Sequence, residues 1–199
     1  MKKIITLLFV IAVTQFPISC DQCGNEEPLE GKISDLRNSI GTFENGKFLN
    51  EESNNFEIAA IQIQISEMEI SQNIIIHENF KNSFLNQVYA CDPPLPEPTQ
   101  KINEIGITAS QSIFSGGIEY KAGSSLNELF KVSNHGNSTI NEFIADQNED
   151  HWLFGYTGSE MVLSLKEKPD NSINQKLKIK FEFSGLETIE VETEEFRVN

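Results

Sequence analysis

The segment DQNEDHW carries oxygen-bearing side chains at alternate positions, namely Asp146, Asn148 and Asp150. Calcium loops use oxygen ligands at this spacing because a hard cation needs several of them to converge. Here the sixth loop position is His151 instead of the glycine that makes the sharp turn, and the twelfth is Thr157 instead of a bidentate glutamate. The segment therefore predicts a solvated acidic loop that follows a helix, with calcium bound by Asp146, Asn148 and Asp150 as the alternative.

Other familiar catalytic patterns are absent from the sequence. The histidines His77, His135 and His151 form no HExxH motif, so zinc hydrolase chemistry has no visible site. The chain also lacks G-x-S-x-G, a phosphate loop and G-x-G-x-x-G. Thirty acidic residues leave open a carboxylate pair for glycoside cleavage. We therefore expect a protein that is not an enzyme and has no cofactor, with a carboxylate-based glycoside hydrolase as one alternative.

An aromatic stripe follows the acidic segment, because Trp152, Phe154 and Tyr156 alternate along a predicted strand. Aromatic side chains on one strand face stack on sugars and anchor protein interfaces, but they also fill cores. The pattern predicts either a buried strand face or a binding surface made by these three residues.

The N-terminus has the order of an export signal. Lys2 and Lys3 precede an apolar run at 4–13 that is too short to span a bilayer, and small Ser19 stands directly before Cys20. The segment PISC at 17–20 resembles the lipobox of bacterial lipoproteins, with Pro17 where leucine is usual. Residues 1–19 are therefore predicted to be a signal peptide and Cys20 to be acylated, since acyl chains hold a protein at a membrane without a spanning helix. An ordinary secreted protein that is cut nearby is the alternative.

The cysteines allow one disulfide once Cys20 is lipidated. Cys23 and Cys91 then remain, and an exported protein lies where disulfides persist. We expect a bridge between Cys23 and Cys91. A redox or metal role for the Cys20-x-x-Cys23 pair is less favoured because there is no second CxxC, and a free Cys91 is a further alternative.

The formal net charge of −15 at pH 7 excludes one class of partner. A surface that acidic repels phosphate backbones, so nucleic acid is not expected to bind. The C-terminal strand adds Glu190, Glu192 and Glu194 on one face, which is typical of a solvated outer face of a sheet.

The remaining pattern is that of short strands and turns. Asn45-Gly46 lies between two aromatic residues and predicts a hairpin, because both residues tolerate positive φ. Period-two alternation at 56–70 predicts a long strand with irregularities at Ala59-Ala60 and Glu67-Met68. Further strands are predicted at 73–77, 101–109, 152–156, 160–166, 175–183 and 188–198, with a hairpin around Ser184-Gly185.

Two short helices are predicted from capping boxes. Ser125 with Glu128 begins one in the segment 124–130, and Thr139 with Glu142 begins the other in the segment 138–144. Many strands and few helices predict an all-β fold, an antiparallel β-sandwich with immunoglobulin-like layers. The predicted organisation is a signal peptide at 1–19, a polar tether at 20–31 and one domain at 32–199.

Several segments together resemble a known kind of protein. The PISC lipobox, the CDPPLPEP loop, the AGSSLNELF segment and the MVLSLKEKP strand resemble an uncharacterised lipoprotein family of Bacteroidetes, which is named only as a domain of unknown function. The resemblance implies the anchor and the fold, and it brings no catalytic residues.

The expected function follows from an anchor, a β fold and no catalytic motif. We expect a lipid-anchored protein of the outer membrane or cell surface that binds a glycan or a protein partner without chemistry. An adhesion or pilus-like subunit that assembles by strand addition along an exposed edge is the main alternative.

Overall fold

The computed structural model describes residues 30–70, 74–77, 97–150, 160–185 and 188–199. These residues form mainly β-strands with one α-helix. The strands are β1 (Glu30–Glu44), β2 (Lys47–Leu49), β3 (Ala59–Ile70), β4 (Ile74–His77), β5 (Glu97–Pro98), β6 (Ile102–Ala109), β7 (Ile113–Ser115), β8 (Ile118–Tyr120), β9 (Phe130–Val132), β10 (Met161–Leu165), β11 (Ile173–Gln175), β12 (Leu177–Phe183), β13 (Thr188–Glu192) and β14 (Phe196–Val198). The helix α1 covers Ile140–Asp150, and a short 3-10 helix covers Asn127–Leu129.

The larger sheet has the strand order β2-β1-β3-β10-β9, with β4 added to β3 and β5 added to β1. All of its pairs are antiparallel except β1 with β5. The register places Ile40 opposite Ile61 and Asn38 opposite Ile63. Because side chains alternate across a strand, this register directs Ile61 and Ile63 to one face and Gln62 to the other.

The second sheet has the order β13-β12-β6, and two small sheets pair β11 with β14 and β7 with β8. The hairpin predicted around Ser184-Gly185 is confirmed, since β12 pairs antiparallel with β13 on either side of it. Gly185 has a φ of 98°, a conformation in which glycine lacks the steric cost of other residues.

One hydrophobic core contains residues from both larger sheets. Ile61 and Ile63 of β3 belong to the same buried cluster as Ile107 of β6 and Phe181 of β12. β14 also contributes, because the ring centroids of Phe130 and Phe196 lie 6.3 Å apart. The structure therefore confirms the all-β prediction at the level of antiparallel sheets that share a core.

The Asn45-Gly46 hairpin is also confirmed. Phe43 pairs with Phe48 and Glu44 with Lys47, and the two turn residues have φ angles of 52° and 75°. Positive φ at both central residues gives the turn the twist that a two-residue hairpin requires.

The long strand predicted at 56–70 is present as β3, although it begins at Ala59 because residues 56–58 form a turn. One of its two predicted irregularities is present. The register between β1 and β3 shifts on both sides of the Asp35–Glu67 pair. By contrast, the irregularity predicted at Ala59-Ala60 is wrong, because both alanines pair in regular register with β1. These two adjacent alanines interrupt the alternation of apolar and polar residues along the strand because both are buried.

The two predicted helices have different outcomes. Thr139 and Glu142 form the predicted capping box: the Glu142 N–H donates to Thr139 Oγ1 at 3.2 Å, and the Thr139 N–H donates to Glu142 Oε2 at 2.7 Å. The prediction of a capping box and a helix at Ser125 is wrong. That segment contains only the 3-10 helix, whose N-cap is Leu126 and has no side-chain capping bond.

The described helices include none that is both long enough and apolar enough to cross a membrane. The predicted signal peptide and most of the predicted tether, up to residue 29, lie outside the described residues.

Candidate functional site

The residues that suggested a calcium loop lie inside α1, so the prediction of a loop is wrong. The helix was expected to end near residue 144, but it continues to Asp150. Residues two apart on a helix differ by about 200° around its axis, so Asp146 and Asn148 do not face one point. Asp146 Oδ2 instead lies 2.9 Å from Nε2 of His135, and Asn148 binds the backbone of Ile102.

The part of the chain that the structure describes contains no cluster of three or more histidine, cysteine, aspartate or glutamate side chains placed to hold a metal ion. The side chain of Asp150 is outside the described set. The structure therefore does not bring Asp146 and Asn148 together as ligands of one site.

The other candidate residues of the sequence lie outside the described residues. They are the predicted lipidation site Cys20, the predicted disulfide partners Cys23 and Cys91, and the aromatic stripe Trp152, Phe154 and Tyr156. These remain predictions.

Carboxamide side chains occupy the open edge of β6. β12 pairs with one edge of β6, and the other edge meets the 3-10 helix and α1. Asn127 Nδ2 donates to the Ile105 carbonyl at 2.6 Å, and the Ile107 N–H donates to Asn127 Oδ1 at 2.9 Å. Asn148 also uses both ends of its amide, since it accepts from the N–H of Ile102 and donates to the carbonyl of Ile102. An amide carries a donor and an acceptor side by side, so it satisfies an edge as a neighbouring strand would.

A polar cleft of about 430 Å³ opens where the C-terminal end of β6 meets β11, β12 and β13. This volume lies in the range of small-ligand sites. Thr108 of β6 and Lys178 of β12 are cross-strand neighbours in its lining, and Gln111 and Lys176 also line it. Only Ala109 and Gly123 among its lining residues lack a polar side chain.

Gln175 gives the cleft a rigid floor. It is buried, with 7% of its surface exposed, and its amide oxygen and nitrogen both bond to the segment that follows β6. The Gln111 N–H donates to Gln175 Oε1 at 2.7 Å, and Gln175 Nε2 donates to the Gln111 carbonyl at 3.2 Å. Because both bonds join residues 64 apart in sequence, they fix the β6 side of the cleft to the β11 side.

One wall of the cleft carries a ladder of ion pairs between β12 and β13. Lys176 Nζ lies 3.1 Å from Glu192 Oε2, and Lys178 Nζ lies 3.0 Å from Glu190 Oε1. The hydrogen bond from Lys178 to Glu190, followed by their charge attraction, raises the pKa of Lys178 above its ordinary value. The side chains are about half exposed, so solvent screens each pair and its contribution to stability is small.

Glu195 also lines the cleft. Arg197 Nη2 lies 2.7 Å from its Oε2, and Arg197 Nε donates to Asn174 Oδ1 at 3.3 Å. The hydrogen bond to Glu195 raises the pKa of Arg197. The two carboxylates in the cleft, Glu192 and Glu195, are thus each held by a cation.

A second cluster of polar side chains lies on the face of the larger sheet that carries Gln62 and Gln64. Arg37 Nε donates to Gln64 Oε1 at 2.9 Å, and Gln64 Nε2 donates to Glu160 Oε2 at 3.0 Å. Gln62 also donates to Glu160. These bonds join β1, β3 and the residue before β10 side by side, so they stabilise the sheet.

The sequence reasoning missed the cleft, although one signal pointed to it. Lys176, Lys178 and Lys180 alternate along one predicted strand, and Glu190 and Glu192 alternate along the strand predicted to pair with it. Opposite charges on one face of a hairpin predict cross-strand pairs. Nothing in that pattern predicts that Thr108 and Gln111 come to the same place.

The described residues together form a mainly antiparallel β fold with one α-helix and a surface cleft lined by residues with polar side chains. No model of a known protein family, no curated protein and no solved structure matches the chain. The resemblance to a Bacteroidetes lipoprotein family therefore stays a prediction.

Proposed function

We propose that the chain is a lipid-anchored surface protein of a bacterial envelope, with a β-sandwich domain that binds a glycan without catalysing a reaction. In this proposal the signal peptide at 1–19 is removed, Cys20 carries the acyl chains, and Cys23 and Cys91 form a disulfide. The domain then holds its ligand outside the membrane.

The polar cleft is the observation that carries the proposal. Its lining offers hydroxyl, carboxamide, ammonium and carboxylate groups, and each of these is a hydrogen-bond partner for sugar hydroxyls. Protein interfaces rely instead on buried aromatic and aliphatic anchors. Nine of the eleven lining residues have polar side chains and none is aromatic or branched aliphatic, so the cleft offers hydrogen bonds beside the carbon stems of these side chains and no pocket for a peptide anchor. This combination favours a glycan over a peptide.

The rigidity of the cleft supports a binding role as well. Gln175 is buried and is held by its two bonds to Gln111, which join the two sides of the cleft. A preformed site loses less conformational entropy when the ligand binds.

Binding of the full-length protein to an array of oligosaccharides tests the proposal. Lys178→Ala removes a cleft side chain, and Lys180→Ala is its matched control. Both lysines lie on the same face of β12, are about half exposed and pair with a glutamate, but Lys180 does not line the cleft. We expect Lys178→Ala to weaken glycan binding about three- to ten-fold, the range of one hydrogen bond, and Lys180→Ala to leave it unchanged. Absence of binding to every glycan, or equal loss in both variants, would contradict the proposal.

The intact mass of the membrane-extracted protein tests the anchor. A mass of residues 20–199 plus acyl chains, with thiol alkylation only after reduction, supports both Cys20 lipidation and the Cys23–Cys91 bridge. A mass without acyl chains overturns the anchor and leaves the cleft proposal to its own test.

Strand addition is the less favoured alternative. β13 is an edge strand of its sheet, as that alternative needs. However, Asn38 Nδ2 already donates to the Glu192 carbonyl at 3.1 Å, so one edge acceptor of β13 is in use. The glycosidase alternative gains no support from Glu192 and Glu195, because both are exposed and held in ion pairs.

A further inference from the structure

The charges that line the cleft cancel one another. Lys176 and Lys178 supply two positive charges, and Glu192 and Glu195 supply two negative ones. Every one of these groups also has an oppositely charged partner at hydrogen-bond distance, within the cleft or beside it. A ligand therefore meets donors and acceptors in the cleft but no excess charge.

We infer that the cleft selects uncharged saccharides and discriminates against those that carry carboxylate or sulfate groups. This inference rests on the proposed glycan-binding function and narrows its ligand class.

An anionic sugar would bring a further negative charge beside an existing ion pair. A carboxylate that accepts a second N–H of Lys176 lies next to Glu192, which repels it. Glu195 also lines the cleft and adds to that repulsion. The net charge of −15 opposes the approach of the anion at longer range.

A neutral sugar can bind with the ion pairs intact. Each ammonium group has three donors and uses one in its pair, and each carboxylate has several acceptor positions. Hydroxyl groups both donate and accept, so adjacent hydroxyls can bridge Lys176 and Glu192 while the pair persists. Thr108, the cross-strand neighbour of Lys178, and Gln111 provide neutral hydrogen-bonding groups in the same cleft.

Calorimetric titration of the full-length protein with matched oligosaccharides tests the inference. The set compares neutral hexose oligomers with uronic-acid and amino-sugar oligomers of equal length, at low and high salt. We expect the neutral oligomers to bind at least about ten-fold more tightly than the uronic acids, with an affinity that salt changes by less than about two-fold. Lys178→Ala should weaken neutral binding, and Lys180→Ala should not.

Each outcome separates this inference from the function on which it rests. Tighter binding of uronic acids or amino sugars that is lost in Lys178→Ala would overturn the selectivity and preserve the glycan-binding proposal. Neutral binding that falls steeply with salt would also overturn it. Failure of all three classes to bind, or binding that does not respond to Lys178→Ala, contradicts the proposed function itself.

Discussion

Asn148 binds both backbone groups of Ile102. The Ile102 N–H donates to Asn148 Oδ1 at 2.9 Å, and Asn148 Nδ2 donates to the Ile102 carbonyl at 2.7 Å. The helix α1 is thereby attached to the start of β6 through one side chain. The amide takes the place that a further strand would occupy, so the same contact that attaches the helix also closes the sheet edge.

Removing this amide should destabilise the fold. Asn148→Ala leaves the N–H and C=O of Ile102 without a partner in a partly buried place, which costs about 1–3 kcal/mol of unfolding free energy. Urea denaturation measures the loss, and hydrogen exchange at the Ile102 amide should accelerate. Glu149→Ala, at the exposed neighbouring position of the same helix, is the control. Equal stability of the two variants would show that the Asn148 contact contributes nothing.

The capping box of α1 should make stability depend on pH. The backbone N–H of Thr139, and then its hydroxyl, donate to Glu142 and lower the pKa of that carboxyl below 4.5. A lowered folded-state pKa stabilises the protein above the unfolded value, and this contribution is lost as pH falls through the folded pKa. Glu142→Gln should therefore lower the Tm at neutral pH. The difference in Tm between wild type and the variant should shrink as the pH falls below 4.5.

Thermal unfolding followed by circular dichroism from neutral pH to about pH 3 checks this prediction. Glu149→Gln removes a carboxylate from the same helix away from the box and serves as the control. A difference between wild type and Glu142→Gln that stays constant across the range would show that the box has no ionic component.

Two strand glycines should respond differently to the same substitution. A Cβ at Gly41 would overlap the carbonyl oxygen of Leu49 and the ring of Phe48, while a Cβ at Gly106 meets no atom within 4 Å. Gly41→Ala should cost about 1–3 kcal/mol because the β1–β2 hairpin must shift. Gly106→Ala should be neutral or stabilise by up to about 1 kcal/mol, because alanine restricts the unfolded chain. Denaturant midpoints measure both, and a comparable loss at Gly106 would contradict the assigned cause.

The sequence correctly predicted the hairpin and the helix start, because each is stabilised by residues that are close together in the chain. Asn45-Gly46 forms the predicted hairpin because its two residues adopt the required positive φ. Thr139 and Glu142 form the predicted box, and the apolar residues Ile140 and Phe143 continue the helical period into the core. In each case the residues that make the signal are also those that make the contact.

The local signals failed where the same residues form hydrogen bonds with a strand that is distant in sequence. The Ser125 segment has the same capping pattern as Thr139, but the Leu126 N–H donates to the carbonyl of Ile107. Asn127 is likewise used by β6 and is not available to a longer helix. Asn148 was misassigned for the same reason, because its acid-rich neighbours suggested a loop while its partner, Ile102, is 46 residues away.

The cleft could not be predicted because its walls come from distant parts of the chain. The sequence suggested the pairing of Lys178 with a glutamate across the terminal hairpin, but not which residues would stand opposite. That depends on the register between β6 and β12, which places Thr108 beside Lys178. Long-range register follows from the packing of the whole core, and no short window of sequence contains it.

Because the cleft is assembled from segments that are distant in sequence, it can form only late in the synthesis and folding of the chain. Its parts lie between Thr108 and Glu195, and Gln175 joins them only after it reaches Gln111. A chain that is still being synthesised or translocated has no complete ligand site until Glu195 has emerged and the segments from Thr108 onward have folded together. Any ligand of the cleft then binds the finished protein alone, and its binding free energy is added to the stability of that state.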